Sequence, residues 1–189
     1  MNNPDNKYIS SLYGGFWNFD IMDFCYMTNQ YFPPENFIDS MGENLTTLVK
    51  SYPSTNWYLS SLAAKSLSLS HEDLVVANGA SELISVIIDK YVEKLAVPIP
   101  TFAEFINRSA TQGKSVGTYE LSGDFHLPID DFISYVKDTK ANAVLIINPN
   151  NPTGTLIPEQ SMMTLLTELG HLDLVLIDES FIDFSSQYP

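Results

Sequence analysis

The chain has few cysteines and few basic residues. Cys25 is the single cysteine, so an internal disulfide is excluded, and its aromatic neighbours favour a small buried hydrophobe over a reactive thiol. Nine basic residues against 23 acidic residues give a net charge of −14. This balance argues against a nucleic-acid-binding surface or an anionic membrane face, and we interpret the acidity as an aid to solubility.

Long apolar runs and metal-ligand spacings are also missing. No stretch approaches the ~18 consecutive apolar residues that would span a bilayer, and the N-terminus lacks a basic start followed by an apolar core. With no disulfide to form, we expect a cytoplasmic location. His71, His126 and His171 show no ligand spacing, so no metal is expected. The 44% of hydrophobic residues suffice for a sizeable core.

From residue 74 onward, apolar runs typical of buried strands alternate with segments of helical period. Strands are predicted at residues 74–77, 95–99, 116–121, 144–147 and 174–177. Helices are predicted at residues 35–50, 56–67, 83–91, 102–112, 128–137 and 158–169. The alternation predicts an α/β fold, with a mostly parallel sheet and helices on both faces.

The first 34 residues differ from the rest. Residues 1–34 are rich in Asn, Tyr, Phe and Gly and lack a sustained helical period, which indicates an extended N-terminal arm with a short strand at residues 22–24. Residues 35–189 would then form the α/β domain.

Polar residues follow three of the predicted strands at their carboxyl ends. Residues 148–154 read Asn-Pro-Asn-Asn-Pro-Thr-Gly, and Asp178 ends the last strand. In open α/β sheets ligands bind outside the carboxyl ends of the strands, so Asn151 and Asp178 are expected to face one crevice. Residues 78–82, Asn-Gly-Ala-Ser-Glu, lead into a helix whose free N–H groups favour an anion, with ordinary capping by Ser81 as the alternative.

The heptapeptide at residues 148–154, followed by Asp-Glu-Ser-Phe-Ile-Asp-Phe at residues 178–184, resembles the pyridoxal-phosphate-dependent aminotransferases of classes I and II, which have fold type I. The chain is most similar to their histidinol-phosphate aminotransferase and threonine-phosphate decarboxylase branch. The resemblance implies an enzyme with pyridoxal 5'-phosphate as cofactor, a small amino-acid substrate and a homodimer. It also implies that residues 35–189 are a partial cofactor-binding large domain.

The resemblance assigns roles to three residues around the cofactor ring. Asp178 would hold the proton on the pyridine nitrogen, Asn151 would donate a hydrogen bond to the phenolic oxygen, and the ring of Phe102 would stack on the pyridine. Many aminotransferases place a tyrosine where this chain has Phe181. Phenylalanine there resembles the decarboxylase-like branch, which keeps that activity open.

The resemblance also implies a phosphate site. In the family Tyr52 would reach the cofactor phosphate of the partner subunit. The phosphate of the chain's own cofactor would lie against Gly79, Ala80, Ser81 and Glu82.

The cofactor-binding lysine of the family is missing from its expected place. That lysine follows the Asp-Glu strand, whereas all eight lysines here precede Asp178. We therefore expect the N-terminal part of an aminotransferase acting on an amino acid or amino-acid phosphate, inactive by itself. The alternatives are an O-phospho-amino-acid decarboxylase and a truncated, inactive chain that acts through protein association. A nucleotide-binding protein is a weaker alternative, because residues 78–82 lack both glycine-rich phosphate-loop patterns.

Overall fold

The computed structural model describes residues 6–9, 15–22, 29 and 31–185. The chain divides into two units, residues 1–55 and 56–189. The described part of the first unit contains helix α1 (Asn6–Ile9), a 3-10 turn at Phe16–Asn18 and helix α2 (Glu35–Lys50). Cys25 and most of the strand expected at residues 22–24 lie outside the described residues. The arm boundary at residue 34 stays a prediction.

The second unit is built on a parallel sheet of four strands in the order β2-β1-β3-β4. Its strands are β1 (Lys94–Ile99), β2 (Ser115–Glu120), β3 (Ala143–Ile147) and β4 (Leu174–Asp178). Its helices are α3 (Asn56–Leu67), α4 (Ala80–Tyr91), α5 (Ala103–Thr111), α6 (Ile129–Thr139) and α7 (Glu159–Leu169). Within the described ranges, no helix combines the length and apolar character needed to cross a bilayer.

Different helices cover the two faces of the sheet. Side chains alternate between faces along a strand, and in β3 Val144 and Ile146 belong to the cluster formed with α6 and α7. Leu145 and Ile147 belong to the cluster formed with α4 and α5. The prediction of an α/β fold with helices on both faces is therefore confirmed, and all four of these β3 side chains are buried.

The strand predicted at residues 74–77 is wrong. Leu74 has extended backbone angles (φ −137°, ψ 133°), but the segment pairs with no strand among the described residues. The N–H of Val76 instead donates to the hydroxyl of Ser60 in α3 (3.0 Å). A strand needs the backbone of a neighbouring strand as hydrogen-bond partner, and here the side chain of a helix residue accepts one of the backbone N–H groups instead.

One asparagine joins three connections at the amino edge of the sheet. The Oδ1 atom of Asn142 accepts hydrogen bonds from the backbone N–H groups of Glu93 (2.9 Å) and Lys94 (3.0 Å). Its Nδ2 atom donates to the carbonyl of Tyr91 (3.0 Å) and the carboxylate of Asp173 (3.1 Å). The chain entering β1, the chain entering β3 and the chain entering β4 are therefore held together.

We expect Phe132→Ala to lower the free energy of unfolding of this 189-residue chain by about 3–5 kcal/mol, because it leaves a cavity in the core. Phe132 is 0% exposed and its ring lies 5.5 Å from that of Tyr119. Phe184, which is 84% exposed, provides the control: Phe184→Ala is expected to cost about 0.5 kcal/mol or less. Denaturant unfolding measures both, and equal losses would contradict this account of the core.

Candidate functional site

The predicted site residues of the second unit lie on segments that meet the carboxyl edge of the sheet. Strands β3 and β4 end there, and α5 begins there because it follows the end of β1. Two residues separate the end of helix α4 from β1, which begins at the opposite edge of the sheet. Helix α4 packs on the same face of the sheet as α5. Its first turn therefore lies at the carboxyl edge as well.

The start of α4 is a glycine turn with open space in front of it. Gly79 precedes the helix with φ +79° and ψ 166°, a conformation that is essentially confined to glycine, and a Cβ atom added there would meet nothing within 4 Å. Ala80, Ser81 and Glu82 are the first three helical residues, whose N–H groups have no partner within a helix. The Glu82 carboxylate accepts from the N–H of Asn78 (2.6 Å), so Glu82, not Ser81, caps the turn.

Phe102 stands at the start of α5 with a partly exposed ring. Its exposed fraction is 40%, and its ring meets that of Phe105 edge to face at 6.4 Å. Phe105 is buried in the core. Next to Phe102, the hydroxyl oxygen of Thr101 is buried without a hydrogen-bond partner among the described residues. A partly exposed aromatic ring therefore stands at this edge, and the residue before it in the chain has a buried hydroxyl.

The loop after β3 is held at its base by two buried asparagines. The Oδ1 atom of Asn148 accepts from the N–H of Ile157 (2.8 Å), which closes the base of the loop. The Nδ2 atom of Asn150 donates to the carbonyl of Pro100 (3.0 Å), in the loop that carries Phe102. Asn151 follows directly and is half-buried. Its neighbours fix the loop, and Asn151 has no hydrogen bond among the described residues.

Asp178 is placed by the alternation of β4. Leu174 and Leu176 belong to the cluster on the α4 and α5 face, so Asp178 continues that side of the strand. Both the N–H (2.9 Å) and the hydroxyl of Ser180 donate to Oδ1 of Asp178, which leaves Oδ2 without a partner among the described residues. The carbonyl of Asp178 accepts from the N–H of Asn148 (2.8 Å), which joins the ends of β3 and β4.

Tyr52 belongs to the first unit. It follows α2 and is 100% exposed. Its role stays a prediction.

Sequence reasoning missed three residues of this edge: Thr101, Asn148 and Asn150. The heptapeptide contains three asparagines, and only Asn151 was given a role. Asparagine at the end of a buried strand is a signal that could have found the other two, since a buried amide needs partners. The described residues bring no group of three acidic, histidine or cysteine side chains together for a metal.

We expect Gly79→Ala to lower the free energy of unfolding by about 1–3 kcal/mol, because the cost comes from the backbone conformation and not from a clash. Gly42→Ala in the interior of α2 is the matched control, with open space and no positive φ. It is expected to raise stability by up to about 1 kcal/mol. Thermal or denaturant unfolding of the complete gene product measures whether each substitution raises or lowers the free energy of unfolding. A stabilising Gly79→Ala would contradict the turn geometry.

Comparison with known proteins gives relatives that are longer than this chain. It is 32% identical over 180 residues to the CMP-5'-(3-aminopropyl)phosphonate synthase of Streptomyces rubellomurinus, covering 95% of this chain and 28% of that protein. It is 30% identical over 174 residues to the L-serine phosphate decarboxylase of Campylobacter jejuni, covering 87% of this chain and 44% of the relative. The chain thus spans less than half the length of these curated relatives.

A solved structure also matches this chain over less than half of its own length. The crystal structure of the histidinol-phosphate aminotransferase from Clostridium acetobutylicum superposes with a TM-score of 0.70 at 30% identity, covering 82% of this chain and 46% of that one. The family model of aminotransferase class I and II matches residues 16–189, nearly the whole chain. The chain belongs to the aminotransferase class I and II family.

Proposed function

We propose that this chain is the N-terminal part of a pyridoxal-phosphate-dependent aminotransferase that acts on an amino acid or an amino-acid phosphate. The observation that carries the proposal is the meeting of four segments at the carboxyl edge of one sheet: the start of α4, the start of α5, the loop after β3 and the end of β4. The family to which the chain belongs supports the same activity.

The residues at this edge fit the cofactor. A phosphate needs N–H donors and room for close approach, and the first turn of α4 after Gly79 offers both. A protonated pyridine nitrogen needs a carboxylate oxygen, and Oδ2 of Asp178 is not used by the described residues. The fit is one of chemistry: donors for the anion, an acceptor for the cation and an aromatic face.

Each residue would then perform one task. Bound pyridoxal phosphate supplies an electron sink for bonds broken at the substrate Cα. Asp178 would keep the proton on the ring nitrogen by stabilising the charged form, and Asn151 would donate an N–H to the phenolic oxygen. Phe102 would cover one face of the ring and exclude water from it. The first turn of α4 would hold the phosphate, with Tyr52 reaching that of a partner subunit.

The proposal extends to the state of the protein. None of the eight lysines follows the Asp-Glu strand, and we propose that the 189 residues alone do not turn over substrate. We also propose a homodimer and a cytoplasmic location.

A second activity, decarboxylation of an O-phospho-amino acid, is favoured by two observations. The similarity to the L-serine phosphate decarboxylase is as high as that to the histidinol-phosphate aminotransferase structure, at 30% identity each. Phe181 packs its ring 6.2 Å from that of Phe184 and has no hydroxyl to offer the cofactor. The phenylalanine at this position resembles the decarboxylase-like branch.

The two activities differ in the product. The complete gene product, supplied with pyridoxal phosphate, is given histidinol phosphate with 2-oxoglutarate, or O-phosphoserine and O-phosphothreonine without a keto acid. We expect glutamate to form in the first assay. Carbon dioxide release in the second assay, with no glutamate in the first, would select the decarboxylase. Failure to bind pyridoxal phosphate at all would refute both.

We expect Asp178→Asn to weaken and shift the absorption band of the bound cofactor in the complete gene product, and to lower kcat at least about a hundredfold, as for other proton-holding groups. The reason is that a neutral amide cannot stabilise the protonated ring nitrogen. The control is Asp173→Asn, before the amino end of the same strand, where an asparagine can keep the bond to Asn142. An unchanged spectrum and rate in Asp178→Asn would remove this residue from the role.

A further inference from the structure

Asn150 is one of the few buried polar residues at the carboxyl edge. Its exposed fraction is 8%, and its Nδ2 atom donates two hydrogen bonds, to the carbonyl of Pro100 (3.0 Å) and to the hydroxyl of Thr153 (2.9 Å). Its backbone closes the loop, since the N–H of Asn150 donates to the carbonyl of Thr155 (2.9 Å) and its carbonyl accepts from the N–H of Gly154 (2.7 Å). Asn150 therefore belongs to its own loop and to the loop after β1.

The hydroxyls beyond Asn150 fix which way its amide points. Thr155 has one hydroxyl proton, and it donates to the carbonyl of Phe125 (3.2 Å). The contact between the hydroxyls of Thr153 and Thr155 (2.7 Å) must therefore use the proton of Thr153. Thr153 can then only accept from Asn150, and the Pro100 carbonyl also only accepts. Both partners need the amide N–H groups, so Oδ1 is left buried and unpaired.

This order produces a directed chain of hydrogen bonds across three loops. It runs from Asn150 to Thr153, from Thr153 to Thr155, and from Thr155 to the loop between β2 and α6 at Phe125. The second amide N–H reaches the loop between β1 and α5. A single amide therefore connects the loops that leave β1, β2 and β3.

We propose that Asn150 is a positioning residue of the cofactor site, which sets the Phe102 ring and the Asn151 amide relative to each other. Phe102 lies two residues after Pro100, and Asn151 directly follows Asn150. The hydrogen bond between Asn150 and Pro100 thus joins the loop that carries Phe102 to the loop that carries Asn151. The inference rests on the proposed function, because both contacts are contacts to pyridoxal phosphate.

Two substitutions separate the two bonds. Asn150→Ala removes both donors and leaves the Pro100 carbonyl and the Thr153 hydroxyl without this partner. Asn150→Asp keeps the shape and can still accept from Thr153 if that hydroxyl turns, but it cannot donate to Pro100. If the link between the loops is what matters, the two variants should affect the cofactor alike.

The test uses the complete gene product and pyridoxal phosphate as the probe. For Asn150→Ala and Asn150→Asp we expect a shifted absorption and circular dichroism band of the bound cofactor. We also expect a dissociation constant for pyridoxal phosphate about tenfold higher, the effect of losing one or two buried hydrogen bonds. The aspartate variant serves as the second variant if the alanine variant does not fold.

Asn142→Ala is the matched control. Asn142 makes four hydrogen bonds at the amino edge of the same sheet, so its loss should lower the unfolding temperature at least as much as Asn150→Ala does. Its cofactor spectrum and dissociation constant should match those of the wild type.

Each other outcome is decisive. A wild-type spectrum and dissociation constant in both Asn150 variants would overturn the inference and leave the proposed function standing. An equal spectral shift in Asn142→Ala would assign the effect to lost stability and would also overturn it. If the wild-type protein binds no pyridoxal phosphate, the proposed function fails and the inference fails with it.

Discussion

Burial of β3 on both faces is the constraint on which the second unit depends. This strand pairs with β1 on one side and β4 on the other, and its apolar side chains supply both clusters of the core. Burying a Val, Leu or Ile side chain contributes about 1.5–3 kcal/mol, so the strand is a main source of stability. The chain leaves the sheet at the carboxyl end of β3, where the polar loop at residues 148–154 begins with the buried Asn148.

Because the strands are parallel, all of them begin at one edge of the sheet and end at the other, and the two edges differ in their polar contacts. At the amino edge, Asn142 joins three chain entries, and both polar atoms of its side chain have partners within the fold. The Oε1 atom of Gln112, which follows α5, is buried there without a partner among the described residues. At the carboxyl edge, the Thr101 hydroxyl, one oxygen of Asp178 and the amide of Asn151 are left without partners among the described residues. Polar groups left unpaired beside a packed core are costly unless a ligand or water meets them. Asp178 and Asn151 are partly exposed, so a ligand can reach their unpaired groups, and this favours the carboxyl edge as the binding edge.

The sequence predicted most of this fold because its signals are local and repeated. The helices at residues 35–50 and 56–67 have the bounds that their spacing and flanking residues indicated. Four of the five strands predicted from residue 74 onward are present within about one residue. The strand at residues 74–77 was wrong because an apolar run specifies burial but does not supply a partner strand. Its Val76 N–H bonds to a helix side chain instead, a contact sixteen residues away that no periodicity reports.

The sequence indicated single candidate residues of the site but not the hydrogen bonds that join the loops carrying them. Gly79, Phe102, Asn151 and Asp178 could be proposed as site residues because each stands in a turn or loop, or at the end of an apolar run, that the sequence makes recognisable. The bond from Asn150 to Pro100 joins residues 50 positions apart, and no local pattern encodes it. Its consequence is physical: a neutral amide can donate to two acceptors without bringing a charge into a buried place, whereas a carboxylate can donate to neither. The identity of Asn150 is therefore constrained, because neither an aspartate nor an aliphatic side chain at this position could make both donations.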